Sequence, residues 1–94
     1  MQKDHAQVET LEKRAKQLIY RALHRGTREM DLLLGGFARA YVPQLDAAGL
    51  DDFEALLDLE DPELYAWYCK QAVPPANLNN PALDAFLAYE YGIA

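Results

Sequence analysis

The sequence predicts an all-α fold, a small bundle of about five helices. Three observations lead there. Apolar residues recur at three- and four-residue spacing over the first forty positions. Two Asx-Pro pairs, Asp61-Pro62 and Asn80-Pro81, carry the chemistry of a helix start. No segment alternates apolar and polar residues as a half-buried strand would.

The first helix is predicted from Val8 onward. Val8, Leu11, Ala15, Leu18 and Ala22 form one stripe, widened by Ile19 and Leu23, which is the pattern of a helix with one buried face. Lys13, Arg14, Lys16 and Gln17 fall on its exposed face. Arg21, His24 and Arg25 fall in its last turn, where positive charge complements the helix dipole. His24 reads as such a surface cation.

Arg25-Gly26-Thr27-Arg28-Glu29 then interrupts the pattern, and reads as the tight corner between two packed helices. Gly26 can end the first helix in a left-handed conformation without a Cβ penalty, which would present Arg25 and Glu29 on an exposed corner. Two readings of this corner stay open. Glu29 could be an architectural carboxylate that reaches back to a Gly26 N-cap, with Thr27 helping to cap the second helix and Asp31 suited to its first turn. Alternatively, the corner is a binding surface.

In the second helix, Met30, Leu33, Leu34, Phe37 and Tyr41 repeat at helical spacing, and Leu32 and Ala38 lie off that stripe. The helix should therefore be central and buried on more than one side. Gly35-Gly36 in its interior costs about 1 kcal/mol per glycine relative to alanine; a close helix crossing would offset this. A phosphate-binding loop would need a preceding strand, and none is predicted. Pro43 should end this helix near Tyr41, and residues 44–49 form a connector. Asp51 is then the expected N-cap of a short helix with Phe53, Leu56 and Leu57 inward.

A fourth helix is expected from Asp61 to about Gln71, with Asp61 as cap, Pro62 in the first turn and Glu63 suited to the dipole. Leu64, Tyr65, Trp67, Tyr68 and Cys69 run almost all the way round it, so some of these aromatics should be exposed. After Val73-Pro74-Pro75, Asn80-Pro81 opens a last helix with Leu83, Phe86, Leu87 and Tyr91 aligned. Residues 1–94 make one domain, with about 1–6 and 92–94 expected to be flexible.

Composition narrows the function classes. The chain has 94 residues, is 51% hydrophobic and 26% charged, and carries a net charge of −6. A domain of this size buries roughly 60–65% of its unfolded surface. The nine Lys and Arg residues lie mainly in the first forty positions, while acids dominate from Asp46 to Glu63. Nucleic acid and anionic membrane are poor partners for such a surface. One cysteine excludes an internal disulfide, and the two histidines lack metal-ligand spacing. No apolar run approaches the ~20 residues of a bilayer span, and the N-terminus has neither an apolar signal core nor an acid-poor transit composition. A cytoplasmic location is expected. An enzyme would need a nucleophile beside a base, paired carboxylates or a metal set. Cys69 next to Lys70 is the nearest approach, since a cationic neighbour activates a thiol, but a lone cysteine on an apolar helix reads as a packing residue. No catalytic residue, resident cofactor or metal is predicted.

The corner resembles the R-G-x-x-E signature of the family variously called SdhE, YgfY or succinate dehydrogenase assembly factor 2. The similarity continues through Met30-Asp31-Leu32-Leu33-Leu34-Gly35 and Phe37-Ala38, then Phe53-Glu54-Ala55-Leu56-Leu57 and Asp61-Pro62-Glu63-Leu64-Tyr65-Ala66-Trp67. These blocks stand in the family's order and cover roughly residues 18–71. Thr27 is a departure, since many relatives carry methionine there. The resemblance implies a small helical bundle that binds the free flavoprotein subunit of succinate dehydrogenase. The fumarate reductase flavoprotein is a second candidate client. Such a protein promotes covalent attachment of FAD to the subunit's own histidine. Nothing in the sequence resembles a dinucleotide fingerprint, so the chain itself is expected to bind no FAD tightly, and it is expected to be a monomer when free. Carried over by position, Arg25, Gly26 and Glu29 would form the core of the contact surface, with Asp31 beside them and Trp67 as an aromatic contributor. From a different class, an antitoxin-like inhibitor of a toxin is the alternative, with a generic acidic helical adaptor behind it.

Overall fold

The computed structural model describes the backbone of residues 2–91 and the side chains from Thr10 onward. Within these residues lie five α-helices: α1 (Gln2–Leu23), α2 (Arg28–Tyr41), α3 (Ala47–Leu57), α4 (Asp61–Tyr68) and α5 (Pro81–Ala88), with a 3-10 turn at Val42–Gln44. The expected all-α bundle is what forms. Of the termini expected to be flexible, residues 1 and 92–94 lie outside the described residues, whereas Gln2 to Ala6 belong to α1.

α1 begins six residues before the predicted Val8. From Leu11 on, its stripe faces inward as read, with Leu18 and Ala22 buried and Leu11, Ala15 and Ile19 packed against the core; the side chain of Val8 lies outside the described residues. α2 is the central element. Met30, Leu33, Leu34, Gly35, Phe37 and Ala38 are all buried, and Phe37 gathers the aromatic core, with ring centroids 5.5 Å from Phe86 and 6.2 Å from Phe53. Leu32 is left exposed. Gly35 has the reason expected of the pair, a close helix crossing, whereas Gly36 faces the segment after α5. A Cβ on Gly35 would overlap the side chain of Leu23, where α1 crosses α2, and one on Gly36 would lie 2.9 Å from the Tyr89 hydroxyl.

Pro43 ends α2 at Tyr41 as expected, and the chain makes one 3-10 turn. The cap of α3 is Asp46, not Asp51: its Oδ1 accepts from the Gly49 amide at 2.9 Å, so most of the expected connector is helical. Asp51, displaced from the cap, pairs instead with Arg14 at 2.7 Å. It is one rung of a ladder. Arg14 also meets Glu54 at 2.8 Å, and Arg21 meets Asp58 at 3.3 Å and Glu54 at 3.7 Å. Arg14 is thus half-buried rather than free on the outer face of α1, and its guanidinium is held more firmly protonated than usual, first by the hydrogen bond to Asp51 and then by that to Glu54.

α4 ends at Tyr68, three residues earlier than predicted. The Gln71 amide donates to the Ala66 carbonyl at 2.8 Å and the Lys70 amide to the Trp67 carbonyl at 3.1 Å. This is a Schellman closure, which places one residue in the left-handed region. That residue is Lys70, at φ 62°, and no glycine advertises the stop. α5 starts where Asn80-Pro81 indicates. The buried Asn80 caps the amides of Ala82 and Leu83 and donates its own Nδ2 to the Asp52 carbonyl at 3.0 Å, tying α5 to α3. Tyr91 falls beyond α5 and is exposed, because the chain leaves the helix at Tyr89. The Tyr68 hydroxyl holds this segment by donating to the Tyr89 carbonyl and accepting from the Tyr91 amide.

Two substitutions probe these local features. Lys70→Gly should raise the free energy of unfolding in urea by about 0.5–1 kcal/mol, since it removes a left-handed strain of roughly 1 kcal/mol. Gly35→Val should lower it by about 2 kcal/mol or more, because the overlap with Leu23 exceeds any gain in helix propensity.

Candidate functional site

The corner closes by a sequence of local bonds. Gly26 sits at φ +127°, in the region open to glycine. Thr27 is extended and caps α2, its Oγ1 accepting from the Met30 amide at 3.3 Å. With Thr27 as cap, Glu29 is the second helical residue and does not reach back. Asp31 takes that part: its Oδ1 accepts from the amides of Arg25 and Gly26. The carboxylate that braces the corner is therefore Asp31, and Glu29 is left exposed.

Arg25 departs from the exposed presentation expected of it. Its side chain is only 11% exposed. Nε donates to Asp61 Oδ1 at 2.7 Å, Nη2 to the Leu59 carbonyl at 2.6 Å, and Nη1 to the Leu57 carbonyl. The planar fork of a guanidinium spreads its donors over three separate nitrogens and so spans three acceptors set apart from one another, whereas an ammonium offers all its donors from one point. In consequence, Arg25 ties the end of α1 to the turn between α3 and α4. Asp61, expected to cap α4, is the first residue inside it; Glu60 stands at the cap position without a side-chain bond, and the Asp61 carboxylate is turned to Arg25. His24 lies past the end of α1, exposed as expected. Its ring stacks on Tyr20 at 4.0 Å and its Nδ1 lies 2.8 Å from the Tyr20 carbonyl oxygen.

The brace sets α2 and α4 beside each other, and a cleft of about 340 Å³ opens between them, lined by Thr27, Glu29, Met30, Asp61, Pro62 and Tyr65. Tyr65 is 41% exposed. Its hydroxyl ionises above the usual tyrosine range, first because of the neighbouring Cys69 thiol and in smaller part because of the charge on Glu29; like any tyrosine it is neutral at physiological pH. Cys69, expected as a packing residue, is exposed. Glu29 thus lines the cleft and Gly26 is exposed at the corner without lining it, with Arg25 and Asp31 as the supports of the corner. Trp67 does not line the cleft; it is half-buried and packed against the core.

Sequence reasoning misses Tyr65 and Pro62 as part of the site. A signal is present, since a short helix with apolar residues on all sides must leave an aromatic uncovered, but which one follows only from the docking of α4. Among the described residues no group of three or more His, Cys, Asp or Glu could hold a metal, and no helix is long and apolar enough to cross a membrane.

A braced corner with an open cleft at its face, on a bundle without strands among the described residues, defines the class: a small all-α protein. Comparison with known proteins makes this particular. The model of a family described as flavinator of succinate dehydrogenase matches residues 16–90, and the chain belongs to that family. It is similar to the FAD assembly factor SdhE of Acetobacter pasteurianus, 39% identical over 75 residues that cover 80% of this chain and 69% of that protein. It is also similar to the mitochondrial succinate dehydrogenase assembly factor 2 of Dictyostelium discoideum, at 35% over 77 residues, 82% of this chain and 55% of the relative. The corresponding protein of Scheffersomyces stipitis is 42% identical over 62 residues, 66% of this chain and 42% of the relative. The chain thus spans about two thirds of the bacterial relative's length and about half of the mitochondrial ones.

Arg25→Ala should destabilise the fold by about 3 kcal/mol in urea unfolding, because it strands the half-buried Asp61 carboxylate and two carbonyls. Arg25→Lys should recover only part of the loss. Glu29→Ala should fall within about 0.5 kcal/mol of the parent protein, as an exposed side chain without a structural bond.

Proposed function

We propose that this chain is an assembly factor that binds the flavoprotein subunit of succinate dehydrogenase before or during its loading with FAD, and that it promotes covalent attachment of the flavin. The observation that carries the reading is the extent of the family match, which includes the corner, the cleft and the whole of α4. The same match favours it over an antitoxin-like inhibitor or a generic acidic adaptor. On this reading the chain is not an enzyme. The bond forms between the subunit's own histidine nitrogen and the 8-methyl carbon of the flavin, with one methyl C–H broken, the methyl and imidazole protons released and the two electrons left in the flavin ring as its reduced form; the chain contributes alignment, which can supply several kcal/mol of a barrier without any reacting group of its own.

Residues divide accordingly. Gly26 and Glu29 make the contact, joined by Tyr65 and Pro62 of the cleft. Arg25 and Asp31 hold the contact surface in shape, and Trp67 supports α4 from the core side. The chain works as a monomer in the cytoplasm, holds no FAD of its own, and takes the fumarate reductase flavoprotein as a further client.

Purified protein mixed with the unflavinylated subunit and FAD should raise covalent flavin, read as fluorescence on a denaturing gel. Gly26→Arg and Glu29→Ala should each lower the yield about tenfold. Gly26 has open space around it, so an arginine there is opposed by backbone strain and by its new bulk at the contact face; Gly26→Ala carries the same strain alone and should lose less. Equal yield with and without the protein would end the proposal.

A further inference from the structure

The cleft at the corner has a lopsided chemistry. Met30, Pro62 and the Tyr65 ring give it apolar walls, Glu29 and Asp61 give it two carboxylates, and none of its lining residues is basic. Asp61 is already engaged by Arg25 at 2.7 Å. Glu29 is exposed and takes part in none of the ion pairs among the described residues. The neighbouring Arg28 is exposed too, but is not a lining residue.

We infer that this cleft is the seat of a single arginine side chain projecting from the flavoprotein subunit, with its methylene stem along Met30 and Tyr65 and its guanidinium between the Tyr65 ring and the Glu29 carboxylate. The inference rests on the reading of the corner as the surface that binds that subunit.

The choice follows from charge and shape. An acidic side chain, or a phosphate of the flavin nucleotide, would meet two carboxylates and no donor. A purely apolar anchor would strip water from Glu29 and leave its charge without a partner, which is strongly unfavourable. A lysine could satisfy the charge, but its compact ammonium is more strongly hydrated and gains less from an aromatic wall. A guanidinium offers a flat face to the ring and a two-pronged edge to the carboxylate, and its stem covers apolar surface on the way in. The neutral state of Tyr65 suits a ring that serves as a platform. The two carboxylates of the cleft thereby take different partners. Asp61 is occupied from inside by the chain's own arginine, and Glu29 is left for one from outside.

The test is the affinity of the intact protein for the unflavinylated subunit, measured by calorimetry, with circular dichroism to show that each variant is folded. Glu29→Gln and Tyr65→Ala should each weaken binding about tenfold or more, while Tyr65→Phe should bind within about twofold of the parent. Glu29→Arg should abolish binding, and binding should return when one surface arginine of the subunit is replaced by glutamate in a scan of its basic residues. Affinities of Glu29→Gln and Tyr65→Ala within about twofold of the parent would overturn the cleft as the seat, while leaving the assembly-factor reading intact. Rescue at a lysine, or at no basic residue, would overturn the choice of arginine. Failure of the parent protein itself to bind the subunit would remove both.

Discussion

The arrangement of the site depends on one largely covered cation. Arg25 stands at the junction of α1, α2 and the turn before α4, and its guanidinium satisfies the Asp61 carboxylate and the carbonyls of Leu57 and Leu59. Without it, three acceptors at the edge of the core would lose this donor, and the start of α4 would lose its tie to the corner. The position of α4 in turn decides whether Tyr65 and Pro62 face Glu29. The signature and the residues just after it therefore divide into two kinds of work: Arg25 and Asp31 make the corner, and Glu29 is presented by it. The resemblance treats these residues as a unit, and the geometry distributes them.

Charge is arranged on the same plan at larger scale. Basic residues early in the chain and acids in its middle look, in linear order, like two separate surfaces. In the folded molecule Arg14 and Arg21 of α1 lie against Asp51, Glu54 and Asp58 at α3, with Arg25 and Asp61 continuing the series inward. Individual exposed pairs contribute at most about 1 kcal/mol, so the ladder does less for stability than for the register between the two helices. The bulk of the stabilisation comes from the apolar cluster around Phe37, Phe53 and Phe86.

Local signals are legible in the sequence, and distant ones are not. Pro43 stops α2 and Asn80-Pro81 starts α5 because both act on their own backbone within a turn. Gly35 can be read as a need for close approach, although not that Leu23 is the neighbour. Asp46 and Asp51 both read as caps for one helix; Asp46 takes the cap through the Gly49 amide, and Asp51, inside the helix, meets Arg14, a contact across more than thirty residues. The end of α4 escapes because Lys70 adopts a conformation usually marked by glycine. The burial of Arg25 is hidden for the same reason as the cap: its acceptors lie 32 to 36 residues away, and nothing nearby in the chain announces them. At the corner itself, Thr27 is legible as a cap, while the reach-back carboxylate is Asp31 instead of the expected Glu29, a shift of two positions that moves one acid from scaffold to surface.

The ladder between α1 and α3 also shapes what a distant molecule senses. Arg14, Arg21 and Arg25 have their charge cancelled at contact distance, so within about a Debye length of the surface, about 8 Å at physiological salt, the remaining field is negative and uneven. A basic patch on another protein would be drawn in and turned before touching, at a rate that falls as ionic strength rises, whereas an acidic one would be held off.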